Sequence, residues 1–265
     1  DEALAALAVA TARAGGGYTA SSAAEAPAAE APADGLEKHL PALRRILATC
    51  TALPFSIAFP IASAAEDDTN TFTLVDTATY EHLPVQTAGR DALGWVLLDP
   101  QAEGRDAAFH RRRRDQADEA IALLRDRAFE TLNSFRELEH QNLPHAIDVL
   151  PPRLAPIVRY LVTDNRRVQK MVAALRRGDW QMVGALLLMS HASRRTDWDS
   201  TAPEADFIVD QVEALTVDGI YGACMTGRSG CLLLVGKPYA LPLGLDTLTA
   251  AFEQRFGRPL RIITL

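Results

Sequence analysis

Apolar positions along the 265-residue chain recur at two periods, and the change from one to the other marks out its elements. Leu40, Leu43, Ile46 and Leu47 share one face of a helix over Leu36–Thr51, and Ala117, Ile121 and Leu124 share one over Arg111–Arg127. Between Leu154 and Leu188 the helical period is broken once, at Arg176-Arg177-Gly178-Asp179, where the glycine is placed to cap the first of two helices. Pro203–Leu215 reads as a helix with Thr201 as N-cap and Pro203 in the first turn, and Leu245–Phe256 as the last helix. Thr71–Asp76, Gly94–Leu98, Gly219–Met225, Cys231–Val235 and Leu260–Leu265 are β-rich runs closed by turn residues, and they predict strands. Residues 53–62, LPFSIAFPIA, are apolar but twice broken by proline, which suits a buried turn. Helices and strands interleave without a βαβ repeat, so the expected class is α+β.

The first 35 residues differ in character. Residues 1–14 carry an alanine-rich helix signal with acidic residues at its start, and residues 15–35, GGGYTASSAAEAPAAEAPADG, are of low complexity. Such a segment cannot bury enough apolar surface to offset its ordering, so a loop is expected there. The opening at Asp1 rather than at methionine makes preceding residues an expectation.

Composition narrows the function classes. Hydrophobic residues at 48% and charged residues at 23% fit a globular protein with a real core. The net charge of −7 argues against nucleic acid as a general partner and leaves the run Arg111, Arg112, Arg113 and Arg114 as a local basic patch through which an acidic partner or nucleic acid could bind. As helical residues these arginines point around the cylinder, which also fits a solvated helix start. Cys50, Cys224 and Cys231 are odd in number and without a CxxC pair, so an intracellular, reducing compartment is expected, with cytoplasm and organelle left open. His140 and His145 are five apart across a proline-containing loop, a poor spacing for a metal, and no metal site is expected. No run approaches the length of a membrane span, and no membrane partner is expected.

One glycine-rich turn invites a chemical question. GACMTGRSGCLLLV, residues 222–235, places Gly227, Arg228, Ser229 and Gly230 between two apolar strands. Backbone amides in such a turn can hold a phosphate, or the turn can simply reverse the chain.

Four motifs in one order answer it by resemblance. RYLVTDNRRV at 159–168, LRRGDW at 175–180, LLLMSHASRRTDWDSTAPEAD at 186–206 and GIYGACMTG at 219–227 resemble the C-terminal half of the galactokinases, within the GHMP family of small-molecule kinases. The family counterparts are a V-T-E-N-x-R-V helix, a G-D turn, an S-H-x-S helix end, a P-E-L-D helix start and a G-V-Y-G-A-R-M-T-G-G-G-F-G-G-C turn. Weaker likeness, through FTLVDTATYEHLPV and ALGWVLLDPQ with FHRRRRDQADEA, extends it to about residues 53–265. The resemblance implies a GHMP-kinase-like C-terminal lobe of antiparallel sheets covered by helices over 71–265, with a remnant of the N-terminal lobe over 1–70.

The departures carry as much information as the matches. A kinase of this family uses an N-terminal sugar motif, a G-x-x-S-S-A phosphate loop and an aspartate in a G-I-x-D-Q-like turn. Neither of the first two has a counterpart here, and Ser21-Ser22-Ala23-Ala24 imitates the loop only in lettering. Aligning Ser56–Pro60 with the third puts Phe59 where the aspartate stands, and a phenyl ring cannot accept a proton. The glycine turn is two residues shorter than the family's, with Arg228 in place of a glycine, and reads as a remnant. Phe109 matches a tyrosine on the sugar side and lacks its hydroxyl, while His191 matches a histidine read as structural. No catalytic residue is therefore assigned. The leading expectation is a catalytically degenerate galactokinase-like protein that serves as a structural or binding component among protein partners, without a cofactor. An active galactokinase seen without its N-terminal motifs, using ATP and magnesium to phosphorylate galactose at the anomeric hydroxyl, is the alternative. A sugar-binding sensor without turnover is the second alternative.

Overall fold

The computed structural model describes residues 71–76, 81–89, 92–226 and 230–264. The N-terminal helix signals, the low-complexity stretch, Phe59 and the turn residues Gly227, Arg228 and Ser229 lie outside the described residues.

Two compact units divide the chain, the first ending at Thr87 and the second running from Ala88 to Thr264. In the first, β1 (Thr71–Val75) pairs antiparallel with β2 (His82–Gln86), and Phe72, Val75 and Val85 are buried. The sequence pattern does not predict β2, because Pro84 lies in its centre, where it cannot donate to a ladder.

The second unit is built on a four-stranded antiparallel sheet in the order β4 (Ile220–Met225), β5 (Leu232–Gly236), β3 (Gly94–Asp99), β6 (Arg261–Thr264). Register separates its faces. Val96, Leu98, Ala223, Met225, Leu232 and Leu234 share one face and form a core with α5 (Pro203–Ala214) and α6 (Leu241–Phe256) through Ile208, Val212, Leu248 and Phe252. Gly222 and Cys224 face the other way, toward α4 (Trp180–Ser193). A second core joins α1 (Ala107–Arg127), α2 (Leu143–Asp148) and α3 (Ala155–Arg177), with Leu124, Leu143, Leu154, Val158 and Val162 inside it.

The hairpin of α3 and α4 joins these cores. Gly178, at φ +64°, ends α3 in the left-handed conformation that glycine adopts without cost, and the Asp179 side chain caps α4 by accepting from the Met182 N–H at 3.1 Å. Two helix starts and one cap differ from the sequence pattern. Helix α1 starts at Ala107 because Asp106 caps it, accepting from the Phe109 N–H at 2.6 Å. Helix α6 starts at Leu241 with proline in its first turn. Helix α5 is preceded by Ala202, which gives no side-chain cap; the Thr201 hydroxyl turns to the Asp206 carboxylate instead. The segment read as a loop around His140 and His145 contains the short α2, with Pro144 in its first turn.

Candidate functional site

The polar groups packed around the end of β4 come from four elements. Asp164 on α3 is buried and its Oδ1 accepts from the Arg167 guanidinium (3.0 Å from Nη2, 3.2 Å from Nε) and from the Ser190 hydroxyl on α4 (2.6 Å). Burial disfavours a charge on this carboxyl, and the neighbouring guanidinium and hydroxyl oppose that. Tyr160 and Arg194 are buried beside them, and burial raises the tyrosine pKa further from neutrality. Cys224 points to the same cluster from β4, and burial pushes its thiol up to about 11, so it stays protonated and inert at neutral pH.

His191 holds the neighbouring corner. Its Nδ1 accepts the backbone N–H of Met225 at 3.2 Å, so the ring proton is on Nε2, which donates to Asp206 Oδ1 at 3.0 Å. One imidazole thus ties the end of β4, through its backbone, to the first turn of α5. Burial would raise the Asp206 pKa, but bonds from His191 and Thr201 and the charge of Arg195 lower it overall. Both ring nitrogens are engaged, and neither is placed to take a proton from a ligand.

Between α4 and α5 the chain makes a π-helical turn, Arg194–Trp198, ending at Asp199 with φ +55°. This turn aims Asp197 at Arg159 (2.9 Å) and stacks Trp198 on Tyr160 at a centroid separation of 4.8 Å. Asp199 in turn pairs with Arg105 at 2.9 Å and lies 3.7 Å from Arg113.

The residues singled out in the sequence are dispersed. Gly230, at φ +81°, lies where the Thr226 N–H bonds the Cys231 carbonyl at 2.7 Å, which closes the turn between β4 and β5. Phe109 is buried under guanidiniums: the carbons of Arg105, Arg112 and Arg113 lie 5.3, 6.0 and 5.1 Å from its ring centroid. The basic run is accordingly not uniform. Arg111, Arg112 and Arg114 are exposed, while Arg113 turns inward over Phe109 and Trp198. Burial lowers the Arg113 pKa, Asp199 opposes this, and Arg105 and Arg112 add to the lowering. Neither Cys224 nor Cys231 forms a disulfide. His145 packs by Phe129 at 5.6 Å, and among the described residues no group of three or more His, Cys, Asp or Glu side chains could hold a metal.

This lobe has close counterparts among known proteins. Galactokinase from Thermotoga neapolitana is 31% identical over 187 residues, which is 69% of this chain and 49% of that protein. Galactokinase from Chloroflexus aggregans is 33% identical over 186 residues, 69% of this chain and 46% of the relative. Human galactokinase is 37% identical over 111 residues, 41% of this chain and 28% of its own. The crystal structure of Lactococcus lactis galactokinase complexed with galactose superposes with a TM-score of 0.74 at 20% identity, over 89% of this chain and 60% of that one. The chain is a galactokinase-like member of the GHMP kinases. No family model matches it. This galactokinase-like chain spans about half the length of the curated relatives it matches.

The fold follows the expected α+β, GHMP-kinase-like C-terminal lobe, with helices on antiparallel sheets. Arg167 and Arg194 were not distinguished from their arginine neighbours in the sequence. The available signal was helical spacing: Arg167 stands three residues after Asp164, on the face shared with Tyr160 and Met171, whereas Arg166 falls on the exposed face.

Proposed function

We propose that the chain is a catalytically degenerate galactokinase-like protein that serves as a structural or binding component with protein partners. The observation that carries this reading is the mutual commitment of the polar groups around the end of β4. Asp164 is held by Arg167 and Ser190, and His191 is bonded at both nitrogens, to Asp206 and to the Met225 backbone. A group that takes a proton from a sugar hydroxyl must present an available lone pair to it, and neither Asp164 Oδ1, already accepting three bonds, nor either ring nitrogen of His191 does. Two features of the sequence add support: Phe59 where the resemblance calls for an aspartate, and Arg228 in a shortened turn. Phe109, on what the resemblance makes the sugar side, offers a ring packed under arginines and no hydroxyl.

The chain's match to only about half of the Thermotoga neapolitana and Chloroflexus aggregans relatives favours a second reading, in which the remaining parts of an active galactokinase belong to the same protein. ATP, magnesium and galactose would then be its reactants. Incubation with Mg·ATP and galactose, read by phosphorus NMR, tests the two. The degenerate reading expects no galactose-dependent sugar phosphate; a signal that grows with enzyme concentration overturns it.

A further inference from the structure

We propose that the solvent side of the α3–α4 hairpin is a docking surface for an acidic amphipathic helix of a protein partner. The proposal names the partner class for the binding role above and rests on that role.

Charge is the first argument. Residues 155–193 hold six cations, Arg159, Arg166, Arg167, Lys170, Arg176 and Arg177, and two carboxylates, Asp164 and Asp179, in a chain whose net charge is −7. Both carboxylates are used inside the fold, one against buried Arg167 and one as the cap of α4. Arg159 is matched by Asp197. Arg166, Lys170, Arg176 and Arg177 are exposed and make no ion pair among the described residues. Arg166, Lys170 and Arg177 follow one another at intervals of four and seven, so they share one face of α3. An otherwise acidic protein thus displays a cationic strip about 16 Å long, taking a rise of ~1.5 Å per residue.

Apolar exposure is the second. On the adjoining helix α4, Met182 and Met189 are 42% and 55% exposed, with Ala185 and Ala192 exposed on the same face. Their spacing of three, four and three residues is that of a seam that receives an apolar helix face. Methionine is flexible and polarisable, and it suits a surface that adapts to a partner side chain. No residue of α4 other than His191 can carry a charge, and His191 is buried.

These two stripes select the occupant. A helix with a row of glutamates beside an apolar row meets both at once. Nucleic acid would use the cations and leave the methionines idle, and the net charge of −7 repels it at longer range. A membrane interface favours Trp, Phe and Leu, which this face lacks.

The test is fluorescence anisotropy of the full chain with a labelled 18-residue Glu-rich amphipathic helical peptide. A scrambled peptide of the same composition, phosphatidylserine vesicles and duplex DNA are run in parallel. The expected result is saturable binding of the ordered peptide alone, weakened by added salt. The double variant Arg166→Glu/Lys170→Glu should lose about tenfold in affinity, and Met182→Ser/Met189→Ser should lose a similar factor. All four positions are exposed, and unchanged circular dichroism and Tm confirm that the variants fold. Equal binding of the scrambled peptide, tighter binding to vesicles or DNA, or no effect of either double variant overturns the proposal. Sugar phosphate formation by the same preparation is read separately: turnover defeats the degenerate reading, whereas a failed peptide titration without turnover defeats only this surface.

Discussion

Gly184 of α4 and Gly222 of β4 lie against one another, and the absence of both side chains sets how near the helix comes to the sheet. A Cβ on Gly184 would fall far inside contact distance of the Tyr221 carbonyl, and one on Gly222 inside that of the Gly184 carbonyl. The atoms in the way are backbone and cannot swing aside. Gly184→Ala and Gly222→Ala are each expected to destabilise by at least the ~1–3 kcal/mol typical of overpacking, and the double variant should cost less than the sum, because one separation of helix and strand relieves both. Chemical denaturation of the three variants checks this.

The buried Asp164–Arg167 pair gives a second prediction. Asp164→Asn keeps an acceptor for Ser190 but leaves Arg167 buried without its carboxylate, and the expected loss is about 3–5 kcal/mol. Arg167→Met in the same background should recover part of that loss, since it removes the stranded charge. A double-mutant cycle in urea measures the coupling.

His191 offers a sharper contrast of roles. His191→Ala strands the Met225 N–H and one Asp206 oxygen, each at a cost on the scale of ~1–3 kcal/mol. The account expects this variant to lose stability, with exchange protection of the β4 and β5 amides falling most. If His191 served a reaction instead, its removal would leave the amide protection unchanged.

Acid should act through Asp206. Its folded pKa is lowered from the ordinary value, so it stabilises the fold above the unfolded carboxylate value of ~4. That contribution is lost as pH falls through its folded value. Tm is expected to be nearly flat from pH 7 to pH 5 and to fall below about pH 4, and Asp206→Asn should reduce the fall.

How much of this was legible in the sequence depended on whether the signal was local. Gly178 marked the end of α3 because a left-handed cap is a property of one residue, and the α3–α4 hairpin followed from it. Pro84 misled for the same reason: proline argues locally against a strand, and pairing with β1 overrode it. The π-helical turn at 194–198 left no local mark, since its geometry is fixed by Trp198 stacking on Tyr160 and by Asp197 meeting Arg159 some 38 positions away. The role of His191 likewise depends on a backbone N–H 34 positions away, which spacing alone does not reveal.

The central claim is that the chain keeps a galactokinase-like fold without the chemistry. A thermal-shift titration with Mg·ATP, then galactose, then both, tests it most directly, because a ligand that binds the native state raises Tm with its concentration. The account predicts no shift at millimolar Mg·ATP, with or without galactose. A saturable rise in Tm with Mg·ATP, enlarged by galactose, would contradict it.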